Sequence, residues 1–355
     1  MGWESIGPRA KYWYLKQYLM KGPGDRLAGR KIVIDERFSE AVYQCTSCGA
    51  CEVACPVDIP FSKQWDEVKE WLVDLGLGMP QHRPLLENVA RSKNIYGEPQ
   101  DDRDAWFPTD YTMPDHPEVI YFVGCAGSYR KQRIAKAMVE LLRTAGVKFA
   151  ILGKDEWCSG ARQLRVGFGK VVKAELAPHN VHELEKTGAK ILVATCAECY
   201  RAWSRDYREH IGNPPASVFH ASQLLEKLIK DGKIKFSKSI KKKVALHDAC
   251  QIGRNVGMYD PPRTLLKLIP GVQLVEMWRN REEGLCCGAN GGFEMVWPLQ
   301  SQNIARRRLE MAQEAGAEIV ATTCPFTIMQ FEEVARKAGL RMEIKDVVEL
   351  AAEAL

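Results

Sequence analysis

The chain has 355 residues, 46% of them apolar and 27% charged, with 50 basic against 45 acidic side chains. That length accommodates two or three domains with packed cores. The slight basic excess forms no stripe interleaved with aromatics, so nucleic acid is not an expected partner, and no run reaches the roughly 20 apolar residues that cross a bilayer.

The first segment, MGWESIGPRAKYWYLKQYLM, lacks the apolar core and small-residue cleavage site of a secretory signal. Its apolar residues Trp13, Leu15, Tyr18 and Leu19 read as the packing face of a helix. The expected location is cytoplasmic, peripheral to a membrane where a partner resides there. In such a reducing compartment disulfides are rare, and 12 cysteines call for metal or redox chemistry. Any one of them alone reads equally as a small buried hydrophobe. Their regular spacing does not.

The first group is CTSCGACEVACP, Cys45 to Pro56, with the spacing C-x2-C-x2-C-x3-C-P. This is the ligand run of a bacterial ferredoxin. Cys45, Cys48 and Cys51 are read as three corners of a cubane [4Fe-4S] cluster. In two-cluster ferredoxins the last cysteine of such a run serves the other cluster. Cys55 would do so here, yet no cysteine precedes Cys45. The upstream half-motif is expected to be absent, remodelled or supplied by a partner. Zinc is the alternative, although zinc sites usually pair C-x2-C units across a longer gap.

After Pro56 a helix is expected over FSKQWDEVKEWLVDLGLG, capped by Ser62, with Trp65, Val68, Leu72 and Leu75 on one face. Residues 1–100 are thus read as a helical ferredoxin-like module. The Asp- and Pro-rich stretch 101–117 is read as a linker. From 118 onward, short apolar runs (VIYFVGC, VKFAIL, AKILVATC, KVALHDAC, VQLVEM, AEIVATTC) alternate with helical patterns. This predicts an α/β fold with small parallel sheets covered on both faces. Several strands end at a cysteine, where open α/β sheets place ligands. The basic run KSIKKKV at 238–244 reads as a solvated linker.

The cysteines also repeat. KILVATCAECYRAW at 190–203 aligns with EIVATTCPFTIMQF at 318–331, placing Cys196 on Cys324. Cys158 then falls on Cys286 and Cys125 on Cys250. The first copy reads Cys125, Cys158-Ser159 and Cys196-x2-Cys199; the second reads Cys250, Cys286-Cys287 and Cys324-x2-Thr327. This frame, with HDACQIGR, YDPPRTLLKLIPGV, CCGANGGF and CPF, resembles the cysteine-rich CCG domain of the heterodisulfide reductase family. The arrangement is similar to that family's D subunit, which joins a ferredoxin module to two CCG domains. Other relatives include glycolate oxidase iron–sulfur subunits, the sulfite-reduction membrane complex and benzoyl-CoA reductase electron-transfer subunits.

The resemblance implies a first CCG domain over 118–240 and a second over 241–355. It implies an electron-transfer subunit working with other redox subunits (iron–sulfur, flavin or membrane quinone-reactive), or a catalytic disulfide reductase subunit. A zinc-stabilised scaffold is the reading from another class. In the family five thiolates can hold a noncubane [4Fe-4S] cluster. Each copy here keeps four, because Ser159 and Thr327 replace cysteines. Cys250, Cys286, Cys287 and Cys324 retain the adjacent pair and are the expected noncubane site. Cys125, Cys158, Cys196 and Cys199 are expected to hold a further cluster or to be a structural relic. His247 is the candidate proton donor to a leaving thiolate; a strand-end His–Asp pair more commonly orients backbone.

Overall fold

The computed structural model describes residues 7–20 and 33–355. The opening residues of the expected N-terminal helix segment, 1–6, lie outside the described residues. Among the described residues, eight strands form two separate four-stranded sheets, parallel throughout. The first contains β1 (Val119–Phe122), β2 (Phe149–Ala150), β3 (Ile191–Ala194) and β4 (Ser217–His220), in the order β2-β1-β3-β4. The second contains β5 (Lys242–Leu246), β6 (Val272–Val275), β7 (Ile319–Thr322) and β8 (Glu343–Asp346), in the order β6-β5-β7-β8. The two orders are the same path traced twice, so the α/β class and the repeat hold. All six apolar runs contain strands. β1 and β7 are buried along their whole length, which is why they read as unbroken apolar stretches rather than alternating ones.

The repeats share an interior. The helix after β1, Gln132–Thr144, packs on the helix after β8, Val347–Glu353. The helix after β4, Ala221–Lys230, packs on the helix after β5, Asp260–Leu268. Each contact pairs one repeat with the other, and exchanging the repeats converts one contact into the other, as a twofold axis requires. One continuous core results, with Tyr121 and Val193 from the first sheet, Val244 and Ala321 from the second, and Leu141, Leu225, Leu265 and Leu350 between them. The helices after β4 and β8 start alike, each with a capping box, His220 with Gln223 and Asp346 with Glu349.

The helical module lies outside these sheets. Phe38, Val42, Tyr43, Phe61, Trp65 and Leu72 form its core. Its helix Phe61–Asp74 has Ser62 inside it, so Ser62 is not the cap. The N–H of Ser62, which has no acceptor within the helix, is met instead by Glu52 Oε1 at 2.6 Å, from within the cysteine run. Trp65 and Leu72 are buried as expected, whereas Leu75, at the helix end, is 50% exposed. The module is tied down by buried polar contacts. Tyr43 donates to the Val166 carbonyl at 3.0 Å and Lys69 to the Arg165 carbonyl at 2.9 Å. Arg165 bridges Asp66 and Asp206. The 101–117 stretch is irregular but anchored, with Trp106 in the shared core and Arg103 buried.

No helix among the described residues is long and apolar enough to cross a membrane. The first helix, Pro8–Leu19, leaves Trp13 63% and Leu19 68% exposed.

Candidate functional site

In each sheet the chain leaves the two central strands in opposite directions, a topological switch point where the carboxyl ends open a crevice. Cys125 follows β1 and Cys196 follows β3 across that point; Cys250 and Cys324 follow β5 and β7 across the other. Topology therefore delivers two thiols to each crevice, and the loops supply the rest. In the first repeat Cys125, Cys158, Cys196 and Cys199 line one small cavity with Ile95 and Arg162, closed by Phe326 from the second repeat. Gly124 has φ +73, and a Cβ there would lie 2.9 Å from Cys199 Sγ. The residue before Cys125 is thus glycine for steric reasons.

The thiols touch in chains. Cys158 donates to Cys125, which this bond and nearby Arg103 hold below the ordinary thiol range against the opposing effect of burial. Arg103 Nη2 lies 3.8 Å from Cys125 Sγ and pairs with Glu156 at 2.6 Å, both side chains 1% exposed. Glu156 in turn accepts from the Val123 and Gly124 amides at 2.8 and 2.9 Å, fixing the turn that carries Cys125. In the second repeat Cys286 is in contact with Cys250, Cys287 and Cys48. Cys250 also receives Gln251 and Asn290 side-chain amides, each at 3.7 Å. Equivalent backbone bonds recur: Gly160 N to Cys158 Sγ at 3.4 Å and Gly288 N to Cys286 Sγ at 3.3 Å. The two sites meet where Cys324 contacts Cys196.

The positions that depart from five cysteines are in contact with sulfur. Ser159 Oγ lies 3.3 Å from Cys199 Sγ, and Thr327 Oγ1 lies 3.3 Å from Cys287 Sγ.

The N-terminal cysteine run is docked on the second repeat. Cys48 touches Cys286, and that contact together with burial pushes its thiol well up. Arg254 donates to the Cys48 carbonyl at 2.7 Å and Gln251 to the Ser47 carbonyl at 3.2 Å. Gly291, at φ +65, passes so close that a Cβ would sit 3.0 Å from the Cys45 carbonyl and from Ser47 Oγ. Gly291 of the GANGG run therefore serves as the seat of the N-terminal loop. At this junction a cleft of about 500 Å³ opens onto Cys48 and Cys286, lined also by Arg254, Arg279, Leu285 and Ile304.

Whether these thiols suit an iron–sulfur cluster is tested by their surroundings. Lys11 and Lys69 are buried beside the N-terminal run, and neither is in an ion pair among the described residues. Lys69 donates to Ser47 Oγ at 3.1 Å, and burial lowers Lys11 to about 8, partly offset by Cys45 and Cys51. Two ammonium groups without carboxylates are costly in a dry interior, and an anionic thiolate-bound cluster would neutralise them. Backbone N–H donors at the sulfurs fit the same group. The donor set fits sulfur-rich clusters.

His247 is buried at the end of β5. Its Nδ1 accepts from Arg308 Nε at 3.1 Å and its ring meets Phe331 edge-on. Burial and the charges of Arg308 and Arg254 hold its pKa well below the ordinary value. Asp248 does not pair with it but binds Arg263 through two bonds of 2.6 and 3.0 Å. Sequence patterns single out none of Arg103, Lys11 and Lys69. The one visible hint is a lysine, Lys69, interrupting an otherwise apolar helical stripe.

The profile described as cysteine-rich domain, CCG, matches residues 119–202 and 244–332. The chain is 36% identical over 363 aligned positions to the D subunit of the dihydromethanophenazine:CoB--CoM heterodisulfide reductase of Methanosarcina barkeri, covering 100% of this chain and 89% of that one. It is 37% identical to the protein of the same name from Methanosarcina mazei, covering 99% and 88%. It is 30% identical to the EtfAB:quinone oxidoreductase of Syntrophomonas wolfei, covering 92% of this chain and 48% of that one.

Proposed function

The chain belongs to the family of CCG-domain iron–sulfur oxidoreductase subunits that includes the D subunit of heterodisulfide reductase, and on that premise we propose that it is the electron-transfer subunit of a multi-subunit redox complex. Cys45, Cys48 and Cys51 would hold three corners of a cubane [4Fe-4S] cluster, with Cys55 serving the other cluster of a two-cluster ferredoxin pattern. Cys250, Cys286, Cys287 and Cys324 would hold a noncubane cluster, and Cys125, Cys158, Cys196 and Cys199 a further one. When bound, such clusters take up and release single electrons.

The observation that carries this reading is the line of sulfur contacts. Cys48 meets Cys286, and Cys324 meets Cys196. The three cysteine groups are thereby held in sequence, from the N-terminal module through the second repeat to the first. The residues around them bury all eight repeat cysteines, with Cys286 at the floor of the cleft, and supply N–H donors and cations to thiolates. Partners would be iron–sulfur, flavin or membrane quinone-reactive subunits. The exposed Trp13 and Leu19 of the first helix supply an apolar face for one of them. The protein would then be cytoplasmic and peripheral to the membrane.

The cleft at Cys48 and Cys286 favours a second reading, a catalytic disulfide reductase subunit. A disulfide there would accept two electrons from the partner and two protons, giving two thiols. Arg254 Nη2, buried without a hydrogen-bond partner among the described residues, suits an anionic substrate. His247, neutral and behind the sheet end, would act in this reading by orienting Arg308 rather than by delivering a proton itself.

The test is anaerobic metal analysis with electron paramagnetic resonance. Iron and acid-labile sulfide should greatly exceed zinc. Cys286→Ser should abolish one signal and spare the N-terminal cubane, and Cys48→Ser should do the reverse. A preparation holding chiefly zinc refutes the assignment. Thiol release from a heterodisulfide by the isolated chain would select the catalytic reading over the relay.

A further inference from the structure

Each CCG copy departs from the five-cysteine frame at one position, Ser159 in the first and Thr327 in the second. The first has serine in the loop position, second of the pair, and keeps the cysteine at the start of the following helix. The second keeps the loop cysteine and has threonine at the helix start. These two positions touch each other in both copies, at 3.3 Å and 40 residues apart in sequence. Each copy therefore holds one sulfur and one hydroxyl in the same contact, with the roles exchanged. Random decay of a redundant site would have no reason to strike one member of that pair, once in each copy, or to leave a hydroxyl rather than an apolar residue. Ser159 and Thr327 are 3% and 2% exposed, so each hydroxyl needs a partner in the interior, and the sulfur is the one it has.

We propose that Ser159 and Thr327 are positioning residues, each donating a hydrogen bond to the ligating sulfur that faces it, so that both repeats are four-sulfur sites whose reduction potential this hydroxyl raises. The inference rests on the iron–sulfur reading above. A hydroxyl donor stabilises a ligating sulfur most when that sulfur carries most negative charge, which is the reduced state. The same bond fixes the rotamer of Cys199 in one repeat and Cys287 in the other. Both sites also share a backbone donor, Gly160 N at Cys158 and Gly288 N at Cys286, while the other side-chain donors differ, the Arg103 guanidinium at Cys125 against the neutral amides of Gln251 and Asn290 at Cys250. The hydroxyl is thus the side-chain donor they have in common.

The experiment is a potentiometric titration of the cluster-loaded protein followed by electron paramagnetic resonance. Thr327→Val should shift the second-repeat couple negative by about tenfold in equilibrium constant, or about 59 mV for one electron. Thr327→Ser, which keeps the hydroxyl, should leave it in place. Ser159→Ala should shift only the first-repeat couple. The N-terminal cluster is the internal reference and should not move. Equal potentials for the Val and Ser variants, with iron content retained, would overturn the inference alone. Wild-type protein without iron and sulfide in the repeats would overturn both the inference and the reading beneath it.

Discussion

Lys69 illustrates how one side chain can report on a group it does not itself contain. It is fully buried, donates to Ser47 and to the Arg165 carbonyl, and lies over the Tyr43 ring at 5.5 Å. A carboxylate would be the usual companion of such a charge, and among the described residues there is none. Its positive field favours added negative charge on the neighbouring Cys45–Cys51 run. We therefore predict that Lys69→Met lowers the potential of the N-terminal cluster by roughly tenfold in equilibrium constant, about 59 mV for one electron, and leaves the repeat couples unchanged. Redox titration of the three signals checks this; an unmoved N-terminal couple would show that the charge is compensated elsewhere. No sequence rule points to Lys11, and Lys69 shows only as a charge interrupting an apolar stripe, because a lysine on a helix is ordinarily solvent-facing and only the docked loop makes it interior. Arg103 is hidden similarly, inside a stretch whose Asp and Pro content reads as linker although its Trp106 and Arg103 pack inward.

At the scale of elements, legibility follows burial. β1, β3, β5 and β7 are central strands, and their uninterrupted apolar runs announce them. β4 and β8 are edge strands, part-exposed along SVFH and EIKD, and their mixed patterns give no run to notice. The helix from Phe61 is legible in its apolar stripe, but its start is not. A serine near a helix start is a reasonable cap by composition, yet here Glu52 satisfies the amide from ten residues upstream. Local pattern cannot register a cap that arrives through a tertiary turn. The repeat is legible because its cysteines sit at fixed points of the topology, the ends of the two central strands. What spacing cannot reveal is which copy the N-terminal run meets. That depends on the Gly291 turn, whose open backbone admits the Cys45–Ser47 segment.

For the whole molecule, burial of imidazoles sets an acid limit. Burial lowers His82 and His220 to about 4, and His247 falls well below its ordinary value. Unfolded histidines titrate near 6.5, so below that pH the unfolded chain binds protons that the folded one refuses. The stabilisation is complete above about 6.5 and is lost as pH falls toward 4, by about 2–3 kcal/mol for each of His82 and His220. Buried Asp346, whose pKa burial raises, works in the opposite sense. Urea unfolding between pH 7 and 5.5 should show falling stability, with a shallower slope in His220→Asn, which retains a cap acceptor; identical slopes would exclude His220 as a contributor. The enclosure of the repeat cysteines has a further consequence, for the biogenesis of the protein. Their sulfurs are buried while the N-terminal four are only partly so, and the helical module is locked over the first repeat through Tyr43 and Lys69. The first-repeat cavity is small and closed by Phe326, so inorganic cargo is expected to reach it while the module is still undocked, whereas the cleft at Cys48 and Cys286 leaves the outer loop and the second repeat open to it. Folded apoprotein given iron and sulfide is expected to fill the outer loop and the second repeat readily and the first repeat only in mild denaturant, whereas equal filling rates would mean that a route into the first repeat exists.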